Sequence, residues 1–142
     1  MTPLLDAVPF ARTLGIAFTS VTPTSAVAVL ADDPRLHNHV GGPHAGALFS
    51  LAETASGAIV LAAFGAVLDR CVPLAVRAGI GYQKLALGTV TAHATLARPA
   101  EEVIAELDAG TRPEFDVLIK LENAEGVQTA EMTVTWTLRP NR

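Results

Sequence analysis

Glu53 is the one formally charged side chain between Arg35 and Asp69, set in an apolar run rich in Ala, Leu and Val that begins at His44. An ionised carboxylate in such surroundings is costly unless it is paired or hydrogen-bonded, and the usual outcome is a shifted pKa. An acid kept there reads as a functional group. Just upstream, Leu36-His37-Asn38-His39-Val40-Gly41-Gly42-Pro43 brings hydrogen-bonding side chains and, through its glycines, free backbone amides to the start of the run. Carboxylate, amide donors and Asn are acyl-transfer parts: a base or nucleophile, donors for a developing oxyanion, and a group that orients water or carbonyl.

These groups need a rigid element to hold them. From His44 to about Val67 the Ala and Leu content predicts one long helix, with Pro43 where a first turn tolerates proline. It is apolar on nearly every face and is expected to be surrounded by protein. At about 100° per residue, Gly46, Ser50, Glu53 and Gly57 share one side, a narrow polar or small stripe with room for a ligand. His44 is expected to hydrogen-bond at the loop-to-helix junction. Tyr82, Trp136 and Phe49 read as core or interface residues.

Around that helix the pattern is mostly strand. Residues 4–14 fit a short amphipathic helix interrupted by Pro9. Residues 16–21 and 25–30 read as strands joined across Thr22-Pro23-Thr24. Residues 72–84 form a further strand in which Gly79 and Gly81 allow a bulge or a close approach. Residues 89–96 alternate strictly, Val90, Ala92, Ala94 and Leu96 against Thr89, Thr91, His93 and Thr95. Residues 99–110 carry proline first, acids in the first turn and glycine last, a short surface helix. Residues 116–122 and 127–138 pair through Asn123-Ala-Glu-Gly126, with Ala130, Met132, Val134, Trp136 and Leu138 facing away from a wet or partly wet threonine-rich face. The order is helix, two strands, long helix, strand pair, short helix, strand pair: an α+β architecture with one helix wrapped by antiparallel sheet.

The chain has 142 residues and a mass of 14.8 kDa, so residues 1–142 read as a single domain. Half of the residues are hydrophobic and only 17% charged, which leaves apolar surface to bury between subunits. A net charge of −4 with no run of Lys or Arg argues against a nucleic-acid partner. The first residues lack the basic region of a secretory signal, so a cytoplasmic location is expected. The uncharged apolar stretch 57–68 is too short for a membrane span. Cys71 is the single cysteine, which excludes an intrachain disulfide and points to a small buried thiol. His37, His39 and His44 could join Glu53 as metal ligands by chemistry, but their spacing matches no ligand motif, and no metal or redox cofactor is expected.

The element order and the motif around Glu53 resemble the hotdog-fold acyl-CoA thioesterases of the phenylacetate-degradation (PaaI-like) type, within them a poorly characterised branch with an extra short helix after the fourth strand. The resemblance covers residues 14–138. In that family His-Gly-Gly opens the central helix, an Asp or Glu follows nine residues after the His, and an Asn often lies six before it. His44-Ala45-Gly46, Glu53 and Asn38 stand at those positions here. The resemblance implies a long central helix wrapped by a highly curved antiparallel sheet, and hydrolysis of an acyl-CoA or acyl-carrier-protein thioester. Glu53 would be general base or nucleophile, the amides of Ala45 and Gly46 the oxyanion site, and Asn38 the group holding carbonyl or water.

Substrate contacts are expected from His44, Ser50, Tyr82 and Lys84. Arg77, Arg98 and Lys120 are further candidates to face coenzyme A phosphates, and coenzyme A enters only as part of the substrate. A homodimer or dimer of dimers with the site at the subunit interface is implied. Two departures stand out: Ala45 replaces the first glycine, and residues 72–81 offer no Ser or Thr where many relatives place one. The alternative reading is therefore a non-catalytic acyl-CoA-binding hotdog protein. Hydration of an enoyl thioester would need a paired Asp and His, a spacing not seen here.

Overall fold

Period-two alternation and turn chemistry build a sheet, and one apolar helix fills its concave side. The computed structural model describes residues 6–142. Helix α1 spans Pro9–Thr13; the first residues of the helix expected from Leu4 lie outside the described residues. Strands β1, Ala17–Val21, and β2, Ser25–Leu30, form a hairpin. Its turn is held by the Thr22 hydroxyl, which accepts the amides of Thr24 and Ser25 at 3.2 and 3.0 Å. Helix α2, Ala45–Ala63, is followed by β3, Cys71–Tyr82, β4, Val90–Leu96, helix α3, Ala100–Asp108, β5, Glu114–Glu122, and β6, Gln128–Pro140.

All six strands join one antiparallel sheet in the order β1-β2-β4-β5-β6-β3. Helix α2 packs chiefly on β4 and β2. Cross-strand pairs Ala26↔Ala94 and Ala28↔Ala92 lie under it, and all four alanines are almost fully buried. Their small side chains let the helix settle close to the sheet. Leu51, Ala52, Ala55 and Ile59 complete that contact, and the Phe64 ring packs tilted against Phe115 with ring centroids 4.8 Å apart. Cys71 is buried and its thiol unpaired with another cysteine, as expected.

Several expectations need correction. Helix α2 stops at Ala63, and Gly65–Val67 continues only as a tighter 3-10 turn. The two strands after the helix do not pair with each other: β3 lies at the sheet edge against β6, while β4 sits inside between β2 and β5. The irregularity in β3 falls between Ala75 and Arg77 rather than at Gly79 or Gly81. The threonine face of β6 is drier than its alternation suggests. Thr135 donates to Asp116 at 2.6 Å and Thr137 to the Pro113 carbonyl at 2.7 Å, so both hydroxyls are buried with partners. The 19-residue α2 is long and apolar enough to cross a membrane, although residues 57–68 alone are not, and half of its apolar window is buried inside the protein.

Candidate active site

The loop before α2 is organised by Asn38. Its Oδ1 accepts the amides of Val40 and Gly42 at 3.0 and 3.2 Å, and its own amide donates to the Gly42 carbonyl at 2.7 Å. That is an Asx-type turn, which engages the Asn38 acceptor and leaves its Nδ2 with one long contact, 3.4 Å, to the Pro43 carbonyl. Gly42 is required by close approach: a Cβ there would come within 2.3 Å of the Ala86 carbonyl oxygen. The 83–89 loop therefore lies directly on the 38–43 loop.

His44 caps α2. Its backbone is extended, its carbonyl receives the amides of Ala47 and Leu48, and its Nδ1 accepts the Gly46 amide at 2.8 Å. Because Nδ1 accepts, the ring proton sits on Nε2. The Gly46 amide, expected as an oxyanion donor, is thus already engaged. Among the described residues the Ala45 amide alone in this first turn has no hydrogen bond, and Ala45 is an exposed residue. Tyr82, the last residue of β3, donates its hydroxyl to the Ala45 carbonyl at 2.9 Å; burial pushes its phenol up. The Ala45–Gly46 peptide is consequently held on both sides, by Tyr82 and by His44.

Glu53 sits two turns further on, half-buried, with no hydrogen bond or ion pair to its carboxylate among the described residues. Burial pushes its carboxyl above the ordinary glutamate range. Beside it lies a partly open pocket of about 200 Å³, walled by Thr54, Gly57, Ala58 and Leu61 from α2 and bounded by Phe18, Pro73 and Trp136. Asn38, Ala45, Tyr82 and Lys84 line a separate groove of about 340 Å³ at the helix start. His44, Gly46 and Ser50 line a third space of about 250 Å³, where the Ser50 hydroxyl donates to the Gly46 carbonyl at 2.8 Å. The expected stripe is real on the helix surface, yet within one protomer its members open into different spaces.

The basic candidates also separate. Arg77 pairs with Glu114 at 3.2 Å, and Arg98 pairs with Glu102 and Glu106. Lys84 and Lys120 have no ion pair among the described residues, and only Lys84 lies beside Ala45. His37 lies 2.6 Å from Asp32. Among the described residues no group of three His, Cys, Asp or Glu is placed to hold a metal ion.

Trp136 has a role beyond filling the core. Its indole N–H donates to the Ser56 hydroxyl at 3.1 Å, and that hydroxyl donates to the Glu53 carbonyl at 2.7 Å. The inward-facing alternation of β6 signalled that Trp136 is buried; nothing local signalled that it meets the Glu53 turn.

No curated protein sequence matches the chain. Solved structures do. PA5026 of Pseudomonas aeruginosa, a protein of unknown function, superposes with a TM-score of 0.86 at 24% identity, covering 97% of this chain and 91% of that one. A mutant of the thioesterase PA1618 from Pseudomonas aeruginosa gives 0.80 at 20%, covering 99% and 94%. The E. coli PaaI protein of the phenylacetic acid degradation operon gives 0.76 at 20%, covering 99% and 90%. These likenesses establish the hotdog architecture, a helix wrapped by a curved six-stranded antiparallel sheet. The family model described as a domain of unknown function, DUF4442, matches residues 3–138, and the chain belongs to that family.

Proposed function

We propose that the protein hydrolyses an acyl thioester, with coenzyme A or a carrier protein as the thiol. The observation that carries the reading is the unpaired, half-buried Glu53 carboxylate on a helix whose first turn keeps one amide free. Neighbours of the same fold that are named thioesterases support it. As general base, Glu53 takes a proton from water as the water oxygen bonds to the thioester carbonyl carbon. The carbonyl oxygen gains negative charge, which the Ala45 amide and the positive end of the α2 dipole stabilise where it develops. The C–S bond then breaks and the proton on Glu53 passes to the leaving thiolate. Acting instead as nucleophile, Glu53 would displace the thiolate to form an anhydride that water then opens; release of thiol ahead of free acid in a rapid-quench single turnover separates the routes, because general-base hydrolysis forms acid and thiol together.

Ala45 and Glu53 are eight residues apart on one helix, about 12 Å by helical rise, too far for both to reach one carbonyl. The reading therefore includes a homodimer in which Glu53 of one protomer serves the helix start of the other. Strand β3 supports this: it is a 12-residue edge strand, exposed along Ala75–Gly79, with one side unpaired. In the groove at the helix start, Asn38 and Tyr82 hold the loop and the first turn and Lys84 offers charge to a phosphate, while His44 presents its Nε2–H to the neighbouring space that it lines with Gly46 and Ser50. Ser50 supports the first turn through Gly46.

Ala45→Pro removes the free amide at the first helical position, where proline is tolerated after an extended residue such as His44. We expect Ala45→Pro and Glu53→Gln each to lose about 100-fold or more in thioester hydrolysis while folding normally. Mixing the two unfolded variants and refolding them together should restore about one quarter of wild-type activity, since half the dimers then hold one intact site of two. No recovery would place both groups in one protomer's site, and full activity in either variant alone would refute the mechanism. The missing Ser or Thr on β3 favours a second reading, an acyl-CoA binder without turnover, which binding without thiol release by the wild type would establish.

A further inference from the structure

We propose that the cavity beside Glu53 is the acyl subsite and takes a compact, uncharged acyl group of about six to eight carbons; the inference rests on the thioesterase reading above. The size follows from the walls. A cavity of 150 Å³ lined by aliphatic and aromatic side chains is known to stay dry and hold benzene, and this one measures about 200 Å³. Its lining is apolar except for Thr54 and Glu53 itself. A carboxylate on the acyl group would lose its water to a lining that holds no cation to pair with it, a cost that does not depend on the charge of Glu53. A long chain would meet a closed end, because the Trp136 indole is 8% exposed and tied to Ser56.

Gly57 makes the room. It lies in the middle of α2 with an ordinary helical φ, where glycine weakens a helix and no turn demands it. A Cβ there would sit 3.8 Å from the Trp136 ring, in ordinary contact, so alanine fits and anything larger fills the cavity. Leu61, one turn on, lines the same space. Gly57 and Leu61 thus set acyl size, with Trp136 as the floor.

Trp136 is the chain's only tryptophan, so its fluorescence reports occupancy without turnover. In Glu53→Gln protein, titration with acetyl-, hexanoyl-, benzoyl-, succinyl- and palmitoyl-CoA should shift Trp136 emission for hexanoyl and benzoyl. Those two should bind at least about tenfold tighter than acetyl, succinyl or palmitoyl. Adding Gly57→Leu should weaken hexanoyl binding about tenfold and leave acetyl binding within about twofold. Adding Leu61→Ala should move the optimum to a longer chain, which keeps the test decisive where the Gly57→Leu protein does not fold. Equal binding of all five, preference for succinyl or palmitoyl, or a Gly57→Leu loss shared equally by acetyl would overturn the subsite. Size-selective binding with no hydrolysis by wild type would leave the subsite standing and overturn the thioesterase reading. Glu53-dependent hydrolysis without size selection would do the reverse.

Discussion

The two faces of α2 follow opposite rules. Toward β2 and β4, Leu51, Ala52, Ala55 and Ile59 are completely enclosed. Among the described residues no fully buried side-chain nitrogen or oxygen lacks a partner. Toward the other side the helix offers a carboxylate with no partner, a glycine that opens a cavity, and at its start one free amide. The packed face needs shape alone, and any apolar set of similar volume would serve it. The open face leaves an ionisable group in a desolvated setting that folding by itself would remove.

Changing the packed face should cost stability and little chemistry. Leu51→Ala deletes a fully buried side chain on that face and should cost about 2–5 kcal/mol. Urea unfolding measures that loss, and hydrolysis per folded molecule should stay within about twofold; a small loss of stability would mean that the packed face is not the rigid one.

A smaller effect tests the link between the faces. Tyr82→Phe removes only the hydroxyl that holds the Ala45 carbonyl. A lost hydrogen bond of about 1 kcal/mol predicts a roughly fivefold fall in kcat with KM little changed. A matching rise in KM with kcat intact would make Tyr82 a substrate contact instead.

The gentlest test is pH. Burial raises the Glu53 pKa, so the folded state binds this proton more tightly than the unfolded chain. The stability that this supplies is complete below the unfolded glutamate range and is lost as pH rises through the higher folded value. Glu53→Gln should therefore unfold at a higher temperature than wild type near about pH 8, and the gap should close near about pH 4. A gap that widens on acidification would mean that the carboxylate has a stabilising partner in the folded protein.

Much of this could be read along the chain because it depends on near neighbours. The hairpin at Asn123 is an example: its Oδ1 accepts the amides of Glu125 and Val127, and Gly126 takes a positive φ, all within four residues. The alternation of β4 and the start of α3 at Pro99, with Glu101 and Glu102 in its first turn, are equally local. The candidate site was legible only in part. Glu53 stood out because a lone charge in an apolar helix is conspicuous by composition, whereas Ala45 was reached only through the family resemblance of His44-Ala45-Gly46.

What the sequence by itself determined is the set of elements and the oddity of one acid, since side-chain period, caps and desolvation cost act over a few residues. The tertiary structure alone decided strand order, the hold of β3 on the first turn of α2, and the walls around Glu53. Tyr82 reaches Ala45 across 37 residues and Trp136 reaches Ser56 across 80. Such contacts exist only once the sheet has closed on the helix, because pairing between distant strands sets which side chains meet and no local pattern encodes it.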